Sequence, residues 1–408
     1  MSDVILLVHR IPFPPDKGDK IRSWHLLKYL ARNHRVWLGA FVDDPDDNRY
    51  RPELESLCEE VFLRPVGGWW SRFGALAALS CGRSLGVGYY ADGEMTNWVS
   101  RVLASHDIRA AIAFSSTMAQ YLPLADPGLS TLIADFVDVD SDKWRQYAEE
   151  SAWPRRWLYQ YEARALARWE AGVLEQADAV CVVSRAESEI VPGCDAGNRD
   201  KIAVLPNGVD YDFFDPEAAW SDPFDGNRHA VVFTGAMDYY ANVDGVCWFV
   251  EHVWEAVRSE HPQAEFYIVG SKPSQAVSAL ARRPGITVTG RVPDVRPYLA
   301  HAAAVVAPLR LARGVQNKVL EALSMNRPVI ATPQALRGLD GTPPRSAIAA
   351  DSAEYFAREV IRRLDSSPAT AESAGRDYVR ARYDWMRNLG QLGRWIPADI
   401  EVRDGTVG

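Results

Sequence analysis

Residues 303–332 read AAVVAPLRLARGVQNKVLEALSMNRPVIAT, and this stretch decides the fold. Ala303–Ala307 is a short apolar run that ends at Pro308, the pattern of a buried strand. A loop with Gly314 follows, and the spacing then predicts a helix over Val315–Met325. Pro328–Ala331 is again strand-like. Strand, glycine loop, helix and strand in that order make the repeating unit of a doubly wound parallel sheet.

The same unit recurs on both sides. Ala230–Thr234 ends in Gly235, Glu265–Val269 in Gly270 and Ile286–Thr289 in Gly290. A helix is predicted over Val243–Ser259 and a last strand over Ala347–Ala350. In the first half, Val4–Val8, Val36–Val42, Val61–Leu63, Ala110–Phe114, Thr131–Phe136 and Ala179–Val183 read as strands. A helix that starts near Asp19 carries Ile21, Trp24, Leu27 and Leu30 on one side. Val/Ile-rich strands alternating with helices predict an α/β chain with parallel sheets covered on both faces. The Pro206–Pro223 stretch, with its Asn-Gly and Pro-bounded turns, separates two doubly wound, Rossmann-like domains, 1–207 and 208–378.

Composition narrows the function. The chain has 408 residues, 47% hydrophobic and 24% charged, which excludes collagen-like and largely disordered classes. Forty-five basic against fifty-four acidic residues give a net charge of -9, which argues against a general nucleic-acid partner. The five cysteines (Cys58, Cys81, Cys181, Cys194, Cys247) are widely spaced with no CxxC, so a reducing compartment is expected. Val4–Val8 falls short of the roughly 7–15 apolar residues of a signal core, and no run reaches the about 20 needed to span a bilayer. A cytoplasmic protein is expected. Fourteen tryptophans leave contact with a membrane surface open.

Two motifs carry little. Gly86-Val87-Gly88-Tyr89-Tyr90-Ala91 matches a loose dinucleotide fingerprint, but no strand precedes it and two tyrosines sit where a pyrophosphate would approach the backbone. Asp138-Val139-Asp140-Ser141-Asp142 with Glu149 imitates a calcium loop, but Lys143 stands where a glycine is required. Its ordinary reading is a strand end with Ser141 or Asp142 capping the next helix. Its place at the carboxyl end of a strand keeps a catalytic role for Asp138 or Asp140 open.

The chemistry concentrates on the opening stretch. A helix N-terminus at the carboxyl end of a sheet attracts phosphate through its backbone N–H groups and dipole. Arg313 and Lys318 add positive charge there. Glu321 lies where a carboxylate can accept two vicinal ribose hydroxyls. A core helix with surface charges is the competing reading. Val292, in Gly290-Arg291-Val292, is placed for its backbone to meet a flat base.

Taken with Asn207-Gly208-Val209-Asp210, Gly290-Arg291-Val292 and Leu320-Glu321-Ala322-Leu323 before Arg327-Pro328-Val329-Ile330-Ala331-Thr332, the chain resembles the retaining glycosyltransferases of group 1 (family 4). Those have the GT-B architecture of two Rossmann-like domains facing across a cleft. His9-Arg10-Ile11-Pro12-Phe13-Pro14-Pro15-Asp16-Lys17-Gly18-Asp19-Lys20-Ile21-Arg22 is similar to the sugar transferases of exosortase (PEP-CTERM) exopolysaccharide systems. The resemblance implies a nucleotide-sugar donor, UDP- or GDP-linked, in the second domain. Residues Gly235, Val292, Arg310, Gly314, Val315, Gln316, Asn317 and Glu321 would hold it. Arg313 and Lys318 would stabilise the leaving diphosphate, with Asp138 on the acceptor side; Asp140, or Ser115 and Ser116, are the other groups offered there. Gly18, Lys20 and Arg22 would hold a saccharide or lipid-linked saccharide acceptor. A tail helix, 379–397, would cross back to the first domain, and no metal or other cofactor would be needed.

The sequence departs from the family in two places. Arg313 stands where the family's first acid belongs, and the loop Gly235–Asn242 lacks the family's cations, so Arg313, Lys318 and Arg310 are expected to neutralise the donor. A nucleotide-sugar epimerase and an inactive scaffold of a polysaccharide complex remain the alternatives. Trp69-Trp70-Ser71-Arg72-Phe73 and Trp153-Pro154-Arg155-Arg156-Trp157 pair aromatics with arginine, a combination suited either to core packing or to peripheral contact at the inner membrane face.

Overall fold

The protein is described by a computed structural model, which covers residues 2–15, 17–122, 131–312, 314–366 and 373–396. The chain divides into two compact units. One comprises Met1–Leu205 with the segment from Leu389, and the other Pro206–Asn388.

Among the described residues the first unit holds seven parallel strands: β1 (Asp3–Val8), β2 (Arg35–Val42), β3 (Glu60–Pro65), β4 (Ile108–Phe114), β5 (Thr131–Val137), β6 (Ala179–Val182) and β7 (Ile202–Val204). Their order is β3-β2-β1-β4-β5-β6-β7. The second unit holds β8 (Ala230–Thr234), β9 (Glu265–Val269), β10 (Ile286–Gly290), β11 (Ala304–Ala307), β12 (Val329–Ala331) and β13 (Ala347–Ala349), in the order β10-β9-β8-β11-β12-β13. Every residue of β1, β8 and β11 is buried. Both faces of these strands are covered, which is why their sequences are continuous apolar runs. In each sheet the winding reverses once, between β1 and β4 and between β8 and β11. Ligands of open α/β sheets bind outside the carboxyl ends of the strands at such a reversal.

The structure refines two expectations and adds one element. The predicted 243–259 helix is two helices, Tyr240–His252 and Trp254–Glu260, meeting at Val253. The return to the first unit starts at Leu389 rather than 379. Val379 and Tyr383 are fully buried in the second unit's core, so the helix Ala374–Arg382 stays there. The longest described helix, Arg155–Gln176, gives no clear helical signal in the sequence. Two of its carboxylates, Glu162 and Glu170, point inward and are buried, which breaks the apolar stripe.

Glu162 also disposes of the loose dinucleotide motif. Gly86 and its neighbours lie on the short helix Leu85–Tyr89. Glu162 accepts from Ser84 Oγ at 2.6 Å, Leu85 N at 2.6 Å and Gly86 N at 2.9 Å. The chain's own carboxylate fills the place an anion would take. Among the described residues no helix is long and apolar enough to cross a membrane.

Candidate functional site

In the second unit the site is built on the reversal between β8 and β11. Gly235 follows β8 and Gly270 follows β9. A Cβ on Gly270 would sit 1.7 Å from the Gly235 carbonyl oxygen, so only glycine lets the two strand ends close up. Gly235 N donates to Val269 O at 3.0 Å, and Gly270 N donates to Gly290 O at 3.1 Å. Val292 packs half-buried against the core beyond this rim.

The helix predicted from Val315 begins at Asn317 and runs to Ser324, with Gln316 as N-cap. Val319, Leu320, Ala322 and Leu323 face the core. Lys318 and Glu321, three residues apart, are neighbours on the helix surface. The loop before the helix is held tightly: a Cβ on Gly338 would fall 2.0 Å from the Gly314 carbonyl oxygen. The Val315 side chain is part of the core, so at that position only the backbone is left to meet a ligand.

Lys318 reaches back to the end of β8. Its Nζ donates to Asn242 Oδ1 at 2.6 Å and lies 4.0 Å from the Phe233 ring centroid. A Cβ on Gly235 would come within 3.0 Å of it. Asn242 is in turn fixed by donating from Nδ2 to Ala236 O at 2.8 Å. The loop Gly235–Asn242, which carries no cation of its own, therefore receives one from a helix 76 residues on. Burial pushes the Lys318 ammonium down to about 7, against the opposing charge of Glu321. Burial raises the Glu321 carboxyl to about 7, against Lys318. Two buried polar atoms at this edge, Thr234 Oγ1 and Asn317 Oδ1, have no hydrogen-bond partner among the described residues. Native structures rarely leave such atoms unmatched without a reason.

Arg310 behaves differently from the expectation. It is exposed and forms a two-point ion pair with Asp244, with Nε to Oδ2 at 2.9 Å and Nη2 to Oδ1. Its charge is already matched. Arg313 lies outside the described residues.

In the first unit the expected acceptor residues turn out to be structural. Lys20 is 2% exposed and donates to Asp47 Oδ2 at 2.5 Å. Arg22 is fully buried. It donates from Nε to Asp135 Oδ2 at 2.8 Å, from Nη2 to Asp135 Oδ1 at 3.1 Å and from Nη1 to Leu205 O at 2.8 Å. Both cations tie the helix Gly18–Asn33 to its surroundings and leave nothing for an acceptor. Gly18 is exposed at the start of that helix.

The reversal between β1 and β4 displays other groups. His9 follows β1, its ring parallel to that of Phe114 with centroids 5.8 Å apart. His9 Nε2 lies 3.3 Å from Asp19 Oδ2. Arg10 pairs with Asp19 and, from Nε at 2.9 Å, with Asp43. Burial raises the Asp19 carboxyl, but His9 and Arg10 outweigh it and hold the group well below the ordinary carboxylate range. After β4, Ser115 has φ +79, and at the end of β5 Val137 has φ +67. A β-branched residue there is strained, and such strain collects at functional sites. Ser116 Oγ is buried with no partner among the described residues.

Asp138 stands half-buried in the turn after Val137. Neither Ser141 nor Asp142 caps the next helix, whose N-cap is Val139 with no side-chain cap bond. Two buried glutamates do that work: Val139 N donates to Glu187 Oε2 at 2.7 Å and Ser141 N to Glu170 Oε1 at 3.3 Å. Burial lifts the Glu170 carboxyl to about 8. His9 and Asn242 were legible only as parts of quoted segments. Their position directly after β1 and at the first turn after β8 was the available signal.

Residues 228–366 match the family described as glycosyl transferases group 1. A search of curated proteins finds no match. Among solved structures, sucrose-phosphate synthase from Thermosynechococcus elongatus superposes with a TM-score of 0.68 at 17% identity, over 97% of this chain and 98% of that one. Anabaena HepE, in complex with UDP and glucose, gives 0.66 at 15% identity over 96% and 99%. WaaG, a glycosyltransferase involved in lipopolysaccharide biosynthesis, gives 0.62 at 18% identity over 97% and 99%. These likenesses establish the fold as that of the GT-B glycosyltransferases.

Proposed function

We propose, from the premise that the second unit is a group 1 glycosyltransferase domain, that the chain moves a sugar from a nucleoside-diphosphate donor to an acceptor hydroxyl with retention at the anomeric carbon. The observation that carries this reading is Lys318. Its ammonium, held by Asn242 over Phe233, stands at the β8–β11 reversal where a diphosphate would sit. Glu321, one turn further, would accept the ribose hydroxyls. HepE, with the same fold, was solved with UDP-glucose, which supports a donor of this class.

In the proposed step the bond from the anomeric carbon to the diphosphate oxygen breaks as the acceptor oxygen bonds to the same face. The acceptor proton passes to the departing phosphate oxygen. The charge that develops on the diphosphate is met by Lys318 and by the N–H groups at the start of helix Asn317–Ser324, a form of preorganised stabilisation. We assign charge compensation to these groups rather than to a metal. On the acceptor side we assign Asp138, together with His9 and Ser116 at the ends of neighbouring strands, in place of Lys20 and Arg22. The acceptor would be a saccharide or a lipid-linked saccharide, in cytoplasmic assembly of an exopolysaccharide.

Calorimetric titration with UDP and GDP tests the donor site, and NMR of the product's anomeric signal tests retention. One nucleotide should bind, and Glu321→Gln should weaken it on the order of tenfold, the value of one or two charge-assisted hydrogen bonds. Absence of binding by both nucleotides would overturn the reading. Binding without turnover on any acceptor would favour the scaffold alternative.

A further inference from the structure

The helix Gly68–Ser80 turns the wrong residues outward for a soluble surface. Trp69 is 73% exposed, Phe73 57% and Leu76 60%. Their spacing, four and then three residues, places them along one side of the helix, and the side chains of Trp70 and Arg72 lie outside the described residues. A second exposed aromatic group begins the helix Arg155–Gln176, with Trp153 at 82% and Trp157 at 56%. The two adjoin. Trp157 stacks on Tyr161, and Tyr161 Oη donates to Leu79 O at 3.2 Å and to Arg83 O at 3.0 Å.

Charge separates this face from the rest of the molecule. In a chain of net charge -9, residues 61–91 and 151–161 contain no Asp or Glu. Arg83, Arg155 and Arg156 are all exposed. Among the described residues none of the three is in an ion pair. Large exposed aromatics rimmed by unopposed arginine match a membrane interface, where indole rings sit at headgroup depth and guanidinium groups meet anionic lipid. A second copy of the chain is a poorer fit, because a two-fold contact through this face would set arginine against arginine.

We propose that this face docks on an anionic phospholipid surface, the helix Gly68–Ser80 lying along the headgroups with Trp153 and Trp157 beside it. The proposal is independent of the transfer reading, because lipid binding is measured without donor or acceptor.

The test is flotation of the full chain with vesicles of phosphatidylglycerol and phosphatidylcholine, against pure phosphatidylcholine. Binding should require the anionic lipid and be released by high salt, since such attraction falls off within a Debye length. Arg155→Gln with Arg156→Gln should lower partition roughly 25-fold, at about fivefold per charge removed. Trp69→Ala with Phe73→Ala should lower it on the order of tenfold or more. All four side chains are exposed, so circular dichroism and melting should match the parent. Equal binding to both vesicle types, no binding to either, or full binding by both double variants would overturn the proposal. So would a concentration-dependent dimer in sedimentation that Trp69→Ala with Phe73→Ala dissolves, because the face would then be a self-interface.

Discussion

Two helices in this molecule start in the same way and end up with opposite uses of charge. Gly18–Asn33 follows β1 after a proline-rich loop and carries Lys20 and Arg22 near its start. Asn317–Ser324 follows β11 after a glycine loop and carries Lys318. Lys20 and Arg22 are each matched by a carboxylate, Asp47 and Asp135. Lys318 is matched by a neutral amide and an aromatic ring, with Glu321 as its helical neighbour. A buried cation satisfied by a carboxylate has no field left to offer a ligand. A cation held by neutral dipoles keeps its field and sits in a desolvated place that an anion would relieve.

The largest effect should come from breaking the first kind of arrangement. Arg22→Ala leaves Asp135 as an uncompensated buried carboxylate and removes the donor to Leu205 O. Loss of one partner of a buried pair costs about 3–5 kcal/mol. Urea unfolding should show that loss. A variant of parental stability with only a raised acceptor KM would restore Arg22 to the acceptor site and erase the contrast.

Lys318→Ala should act mainly on turnover. It removes a cation that burial disfavours, but it also takes the donor from Asn242 Oδ1 and the opposing charge from Glu321, so stability should fall by less than in Arg22→Ala. Turnover should fall on the order of 100-fold or more, the usual consequence of deleting a preorganised group that meets developing charge. The comparison also has a pH signature. Because the Lys318 ammonium is lowered to about 7, its charged fraction declines as pH rises through that value. The Glu321 carboxyl ionises over the same range, so the signature to read is the proton: nucleoside diphosphate binding near pH 8, where Glu321 is already ionised, should take one up. Calorimetry in two buffers of different ionisation enthalpy would show the uptake, and Lys318→Ala should abolish it. Absence of uptake in the parent would sever Lys318 from the donor.

How much of this was readable in advance follows from sequence distance. Buried parallel strands announce themselves, since Val4–Val8 or Ala230–Thr234 must be apolar on both faces. The start of the Lys318 helix was also visible, because a glycine followed by helical spacing is a local signal. The partners were not. Asp47 lies 27 residues from Lys20, Asp135 lies 113 from Arg22 and Asn242 lies 76 from Lys318, and nothing local states which pairs will meet. The helix Arg155–Gln176 was hidden for a related reason. Glu162 and Glu170 look like solvated residues until the N–H groups they accept are brought to them by the fold.

The smallest effect concerns Arg310, and it sharpens the comparison from the surface. Like Lys20 and Arg22 it is matched by a carboxylate, but it is exposed. Its pairing partner Asp244 raises its pKa further above the ordinary value, so its charge is constant across working pH. An exposed pair contributes at most about 1 kcal/mol, and a side chain already engaged at two points must give up Asp244 before it can meet a phosphate. Arg310→Ala should thus change stability by no more than that and nucleotide affinity by no more than about twofold. The informative variant is Asp244→Asn. It frees the guanidinium without removing it, so if Arg310 lies within reach of the donor, affinity should rise and gain salt dependence. If affinity stays level, carboxylate pairing and distance exclude Arg310 together, and the proposed charge compensation rests on Lys318 without it.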